Sequence, residues 1–256
     1  MWNNNGVLEC KVYGDYALFT DPVSKAGGEK LSYPVPTYES LKNILKSVYW
    51  KPTFIWVVDK VRIMNPLRFE AKGQKLKMFV SKQADLSQFT YLKNVEYQIR
   101  AHIEWNLAQP ALKEDRIMGK HMGIALRHVH RAPRRDPFLG TRECAAYVEP
   151  CVFGSGKGAY DGCGTHDLGF MYHGIIWPGE GDAPLEGETG DAYVNFWNPT
   201  MKDGVIDFIR PQACDVRKVI HDVPFKKFMP DVNCDTKEDY LMDVDLEDLG
   251  MTTEEA

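Results

Sequence analysis

Residues 36–69 read PTYESLKNILKSVYWKPTFIWVVDKVRIMNPLRF, and the rest of the chain is organised around them. Thr37 follows a proline and precedes Glu39. A hydroxyl that caps a free amide and a carboxylate at the positive end of a helix dipole together predict a helix start. Leu41, Ile44, Leu45 and Val48 then recur at helical spacing, and Pro52 stops the pattern. From residue 54 to residue 64 the composition switches to β-branched and aromatic side chains, which predicts a mostly buried strand. Tyr49, Trp50 and Lys51 fall at the turn between the two. Two readings of that corner stand side by side. The aromatics plug the end of a core, or they stack bases while the lysine holds a phosphate.

Upstream, residues 7–19 read as a first strand, with Gly14-Asp15 marking a bulge or bend, and residues 21–30 read as a loop. Downstream, residues 70–93 carry Lys72, Lys75, Lys77 and Lys82 and predict a hairpin or a mobile basic loop. Val95, Tyr97, Ile99, Ala101, Ile103 and Trp105 alternate with polar residues, so 95–105 is a strand with one buried face. His102 lies on its polar face and reads as solvated. Met122, Leu126 and Val129 predict a second helix that ends before Pro133, and residues 144–148 a fourth strand. The order is strand, helix, strand, strand, helix, strand. The expected class is therefore α+β, with a ferredoxin-like domain over 1–150 of the kind many RNA-recognition folds share.

Residues 151–190 are glycine-rich, and strand-like pieces appear at 168–177, 192–197 and 205–209, with a turn at Lys202-Asp203-Gly204. A small antiparallel β domain over 151–230 is expected. The run GSGKG at 154–158 is not a phosphate loop, because Gly158 stands where Ser or Thr must follow Gly-Lys. The acidic tail, 231–256, is expected to be mobile.

The 256 residues suffice for a real core, and at 44% hydrophobic and 26% charged the composition is globular. No apolar run reaches the ~18 residues of a membrane helix, and residues 1–10 lack the pattern of a signal peptide. A cytoplasmic protein with reduced cysteines follows, and six scattered cysteines without a CxxC pair argue against zinc. The formal charge is −5, but basic residues gather in 60–82 and 113–135. A polyanion docks on one face, so that distribution permits nucleic acid. Chemistry is expected where Lys120 and His121 open the second helix. Free amides and the dipole suit a phosphate there, Lys120 adds a point charge, and a histidine of pKa about 6.5 passes protons. If Tyr49 lies beside them, the three converge on one phosphodiester. They can then drive attack of an RNA 2′-hydroxyl on the adjacent phosphorus. His128 and His130 share that helix, and a Lys-His pair on a helix is commonly just solvated.

YGDYALFTDP (13–22), the run from GGEKLSYP (27–34) to SVYWKPTF (47–54), GKHMGIALRHV (119–129), RRDPFLGTREC (134–144) and DLGFMYHG (167–174) resemble one family. It is the CRISPR-associated pre-crRNA endoribonuclease of type I-C (Dvulg-subtype) systems, the "Cas five" subunit, d or c form, of the RAMP superfamily. The likeness runs over about 10–208. It implies metal-independent cleavage of repeat hairpins, with 2′,3′-cyclic phosphate and 5′-hydroxyl products and no cofactor. It implies retention on the crRNA 5′ handle beside the other subunits of the interference complex. The family's catalytic trio falls on Tyr49, Lys120 and His121. His121 is then the general acid, Lys120 stabilises charge, and Tyr49 is a base whose pKa Lys120 lowers or a group that positions the hydroxyl. Local charge nominates Arg68, Lys72, Arg134 and Arg135 as RNA contacts. The competing readings are a non-catalytic scaffold that binds the handle, and a DNA-directed role in which the basic stretches touch a duplex.

Overall fold

The computed structural model describes residues 6–77, 84–180 and 189–224. Strand β1 (Val7–Ala17) buries Leu8, Cys10 and Val12 on one face. The expected bulge at Gly14 is absent: Gly14 pairs with Val95 in an unbroken register. The glycine is needed for close approach, since a Cβ there would lie 2.6 Å from the Ala145 carbonyl oxygen and 2.8 Å from Leu139 Cδ1. Residues 21–30 are not all loop either. Asp21 caps and Pro22 opens the short helix α1 (Pro22–Ala26), which leads into β2 (Lys30–Leu31).

Helix α2 (Tyr38–Val48) starts where the capping pattern predicts. The Thr37 hydroxyl accepts from the Ser40 amide at 3.2 Å, and Leu41, Ile44, Leu45 and Val48 are buried. Strand β3 (Phe54–Ile63) follows. A register shift between Val58 and Lys60 changes its inward parity, so Trp56 and Val58 point into the core before it and Val61 and Ile63 after it. Strand β4 (Phe69–Lys77) pairs antiparallel with the 22-residue β5 (Ala84–Trp105). After a 3-10 segment at Pro110–Asp115 comes α3 (Met118–His130), which buries His121, Met122, Ala125 and Val129. The fourth strand, β6 (Tyr147–Pro150), begins later than expected. Residues 138–145 instead close a bridge, with Gly140 (φ 91) packed so tightly on Leu18 that a Cβ would sit 2.0 Å from its carbonyl oxygen.

These strands form an antiparallel sheet in the order β6-β1-β5-β3. Helix α2 packs on β3, α3 packs on β1 and β6, and all share one hydrophobic core. The sheet does not stop at residue 150. Beyond β3 it continues through β11 (Val205–Asp207), β10 (Thr200–Lys202) and β7 (Thr165–Asp167). A second, three-stranded sheet holds β8 (Met171–Ile176), β9 (Thr189–Trp197) and β12 (Val216–Pro224), in the order β12-β9-β8. The molecule is thus mostly antiparallel sheet with few helices. The turn expected at Lys202-Asp203-Gly204 is present, with positive φ at Asp203 and Gly204.

On the polar face His102 is not merely solvated. Its Nδ1 meets Asp59 at 2.9 Å and its Nε2 meets Glu104 at 3.3 Å, and Glu104 pairs with Arg210. The Asp59 hydrogen bond chiefly raises its pKa, against burial. The GSGKG loop lies over the same face. Arg62 donates to the Ser155 and Gly156 carbonyls and pairs with Asp161, whose other oxygen takes the Gly158 amide. The acidic tail 231–256 lies outside the described residues. No helix among the described residues is long and apolar enough to cross a membrane.

Candidate active site

Tyr49 is held from both sides before its ring meets anything. It is the residue after the last turn of α2, and its amide bonds the Leu45 carbonyl at 3.0 Å. Its own carbonyl accepts from the Trp56 indole at 2.7 Å. Pro52 prevents the helix from continuing, so the chain turns into β3. The phenol is thereby driven under α3, where it is 3% exposed. The two neighbours at the corner separate: Tyr49 plugs the core end, whereas Trp50 is 39% exposed.

On α3, Lys120 and His121 diverge. Lys120 points to solvent, and His121 is completely enclosed, edged by Phe54 and Trp105 at ring distances of 5.2 and 5.8 Å. The His121 amide already bonds the Ile117 carbonyl, so it is not one of the free amides of the helix start. His121 Nδ1 lies 2.9 Å from the Tyr49 hydroxyl, and Nε2 lies 2.6 Å from the backbone carbonyl of Asp115. A carbonyl only accepts, so Nε2 carries a hydrogen. In the neutral ring Nδ1 then accepts from Tyr49, and the phenol is the donor.

Asp115, which no motif singled out, joins these groups. Its carboxylate takes Lys120 Nζ at 2.5 Å and the Thr53 hydroxyl at 2.6 Å, with Lys51 Nζ at 3.8 Å and His121 Nε2 at 3.5 Å. Burial would raise its pKa, but the hydrogen bonds from Lys120 and Thr53 and the nearby positive charges outweigh burial and hold it at about 2. For Tyr49 the expectation that Lys120 lowers the phenol's pKa does not hold. Burial first and the Asp115 charge second push it up, and the one opposing charge is Arg134. Tyr49 is therefore a neutral hydrogen-bond donor, not a phenolate.

The three residues nominated from sequence thus come together around one carboxylate. His128, one face-repeat on from His121, also stacks on Tyr49, at 6.2 Å and 17°. The i, i+7 spacing of the two histidines could have flagged it. Of the four nominated RNA contacts, Arg134 and Arg135 line a hollow of about 530 Å³ with Trp50, Lys51 and Asp115. Arg68 and Lys72 lie on the β4 side of the sheet. There Lys72 sits over the Tyr16 ring at 3.3 Å and 3.5 Å from Glu70, so its charge is partly engaged. Among the described residues no group of three or more His, Cys, Asp or Glu side chains is arranged to hold a metal ion.

Residues 7–209 match the Cas5d model of the family described as CRISPR-associated protein (Cas5). The chain is 25% identical over 227 residues to a CRISPR pre-crRNA endoribonuclease Cas5d of Mannheimia succiniciproducens, spanning 78% of this chain and 93% of that one. It is 31% identical over 153 residues to a Cas5d of the same description from Thermus thermophilus, spanning 56% and 63%. A crystal structure of a CRISPR-associated protein superposes with a TM-score of 0.68 at 32% identity, over 83% of this chain and 96% of that one. The long ordered likeness and the shared fold agree, and the chain belongs to the Cas5d family of CRISPR-associated proteins.

Proposed function

We propose that this protein is a metal-independent endoribonuclease that cuts the repeat hairpins of pre-crRNA by 2′-hydroxyl attack. It leaves a 2′,3′-cyclic phosphate and a 5′-hydroxyl, and it stays on the crRNA 5′ handle within the type I-C interference complex. The observation that carries this reading is the hydrogen-bond chain from Tyr49 through His121 to the Asp115 backbone carbonyl, with Lys120 on the Asp115 carboxylate. Endoribonuclease activity is also what the curated relatives are named for. The sheet order β6-β1-β5-β3 supports a ferredoxin-like core, to which β7, β10 and β11 add three strands, while β8, β9 and β12 form a separate small sheet.

The enclosure of His121 alters the roles. An imidazole with no exposed surface does not touch RNA, and Tyr49, itself 3% exposed, is the group through which it would act. With Tyr49 donating to Nδ1, a lone pair on its oxygen is left free to accept a proton. The 2′-hydroxyl proton passes to that oxygen as the phenolic proton passes to Nδ1, so no phenolate is needed. The imidazolium formed keeps its Nε2–H on the Asp115 carbonyl, 3.5 Å from the carboxylate. Lys120, half-exposed, exchanges Asp115 for the phosphate, neutralises the charge that develops on it and gives a proton to the leaving 5′-oxygen, which departs as the hydroxyl as the P–O5′ bond breaks. His121 thus has the base's part, through Tyr49, in place of the acid's part expected from the motif.

The test is incubation with the cognate repeat RNA in EDTA, followed by end-group analysis. His121→Ala is expected to bind the RNA and cut it at least ~100-fold more slowly. Cutting at the unmodified rate by that variant would remove His121 from the reaction. The complete enclosure of His121 also fits a scaffold that binds the handle without cutting. A protein that binds the repeat and leaves it whole under all metal conditions would select that reading.

A further inference from the structure

Two hollows share a wall beside the site. The nearer, of about 530 Å³, opens between Trp50, Lys51 and Asp115, and the farther, of about 890 Å³, runs along α2 to Phe138 and Arg142. Lys46, Arg134 and Arg135 line both, so the two form one trough that begins at Trp50 and Asp115. Several cations beside it are matched, Lys42 and Lys46 with Glu180 and Lys51 and Lys120 with Asp115. Arg134, Arg135 and Arg142 are all exposed, and among the described residues no carboxylate lies within ion-pair distance of any of them.

Their positions are set by the backbone. The Arg134 amide bonds the Val48 carbonyl at 3.1 Å and the Arg135 amide bonds the Ser47 carbonyl at 3.0 Å, which satisfies the open end of α2. Both guanidinium groups therefore leave the chain where α2 stops, next to Tyr49. Trp50 lies at the same mouth. Its indole has neither a ring partner nor a hydrogen-bond partner among the described residues, although it is a large, partly exposed aromatic. Three unmatched guanidiniums along a trough repel one another until a polyanion enters, and a free aromatic face at its mouth suits an unpaired base.

We propose that this trough seats single-stranded RNA on one side of the cleaved linkage. Trp50 stacks on the base next to that linkage, and Arg134, Arg135 and Arg142 each hold a phosphate. Only the position of the linkage rests on the endoribonuclease reading; the binding does not. The contacts are to base faces and backbone, so this part of the interface tolerates changes of sequence.

The experiment uses the full chain and the cognate repeat RNA carrying a 2′-deoxy sugar at the cut nucleotide, which binds and cannot be cleaved. Arg134→Gln, Arg135→Gln and Arg142→Gln combined are expected to weaken binding roughly 100-fold at physiological salt. They should also flatten the plot of log K against log salt by about two units, from ~0.7 per phosphate contact. Trp50→Ala should cost roughly tenfold and Trp50→Phe much less. A control carrying Lys25→Gln, Lys202→Gln and Lys218→Gln, all exposed elsewhere on the surface, gives the change due to charge alone. The glutamines keep the amides that close α2, and each single arginine variant supplies its own slope should the triple variant fold poorly. Affinity and slope indistinguishable from the control would overturn the trough. All-ribose RNA in parallel separates the two readings. Trough-dependent binding without cutting by the unmodified protein removes the nuclease and keeps the trough, whereas normal cutting with trough-independent binding does the reverse.

Discussion

Tyr49 shows how one hydroxyl can serve both stability and chemistry. Its O–H satisfies the Nδ1 of an imidazole that has no access to water. Tyr49→Phe removes that donor and leaves a buried acceptor unpaired, a loss of about 1–3 kcal/mol. The same change breaks the proton path to the 2′-hydroxyl. Urea unfolding should register the first effect, and single-turnover cleavage should slow by roughly 100-fold or more. A Phe variant that cuts normally would mean the phenol is structural alone. At this scale the sequence was informative about the trio and silent about Asp115. Tyr49, Lys120 and His121 sit in motifs, whereas Asp115 ends an irregular Pro110–Asp115 turn in a mixed-charge run. Its role arises only because that turn brings its carboxylate back over α3. The enclosure of His121 was equally hidden, since one position on a helix start does not reveal whether a side chain turns inward.

Among the elements, α2 and β3 were legible because each has a clean period and a clear stop signal: Thr37, Pro52 and a change from helical to strand-like spacing. The inner part of β5 was legible for the same reason. Its outer half, 84–94, was not, because there β4 runs along one edge while β2 and the end of β1 cover only part of the other, and the buried Phe89, Tyr91 and Leu92 do not keep a strict alternation. Strands β7, β10 and β11 are three residues each, too short to carry a period, and their places are set by pairing with distant partners. Gly14 was noticed for the wrong reason. It relieves crowding between β1 and residues 139–145 and does not bend the strand. Gly14→Ala should therefore destabilise the protein by about 1–3 kcal/mol, through overpacking against a carbonyl that has little room to move. A thermal midpoint unchanged within about 1 °C would show that the Ala145 segment gives way freely.

Over the whole molecule, the part of the chain beyond residue 150 is tied to the first part by more than sheet pairing. His173 on β8 is fully buried, stacks on Tyr38 of α2 at 4.4 Å, and bonds the Ile209 carbonyl through Nε2 at 3.0 Å. Burial first, with help from Lys42, lowers its pKa from 6.5 to about 4. The fold thus holds this ring neutral while the unfolded chain takes up a proton below pH 6.5. Stability contributed by neutral His173 is complete above that pH and declines as pH falls toward 4, by at most about 3 kcal/mol. His173→Gln, which retains a donor for Ile209 and does not titrate, should lose less stability over that window. Equal losses by the two proteins in urea titrations at pH 4 and pH 7 would place the acid sensitivity elsewhere. Composition bounded this level least well. A net charge of −5 left nucleic acid merely permitted, because the formal sum does not register which arginines the fold leaves without a counter-charge.

The Asp115 atom that orients His121 is a main-chain oxygen, and every amino acid has one. Replacing the side chain at 115 leaves that acceptor in place, so a conventional alanine scan would count three contributors to a reaction that depends on four. Drift at this position can alter the carboxylate's duties without ever touching the imidazole's anchor. What would dislodge the anchor is a change in the path of the loop itself, such as a deletion within 110–115, which need not alter any side chain that meets the RNA.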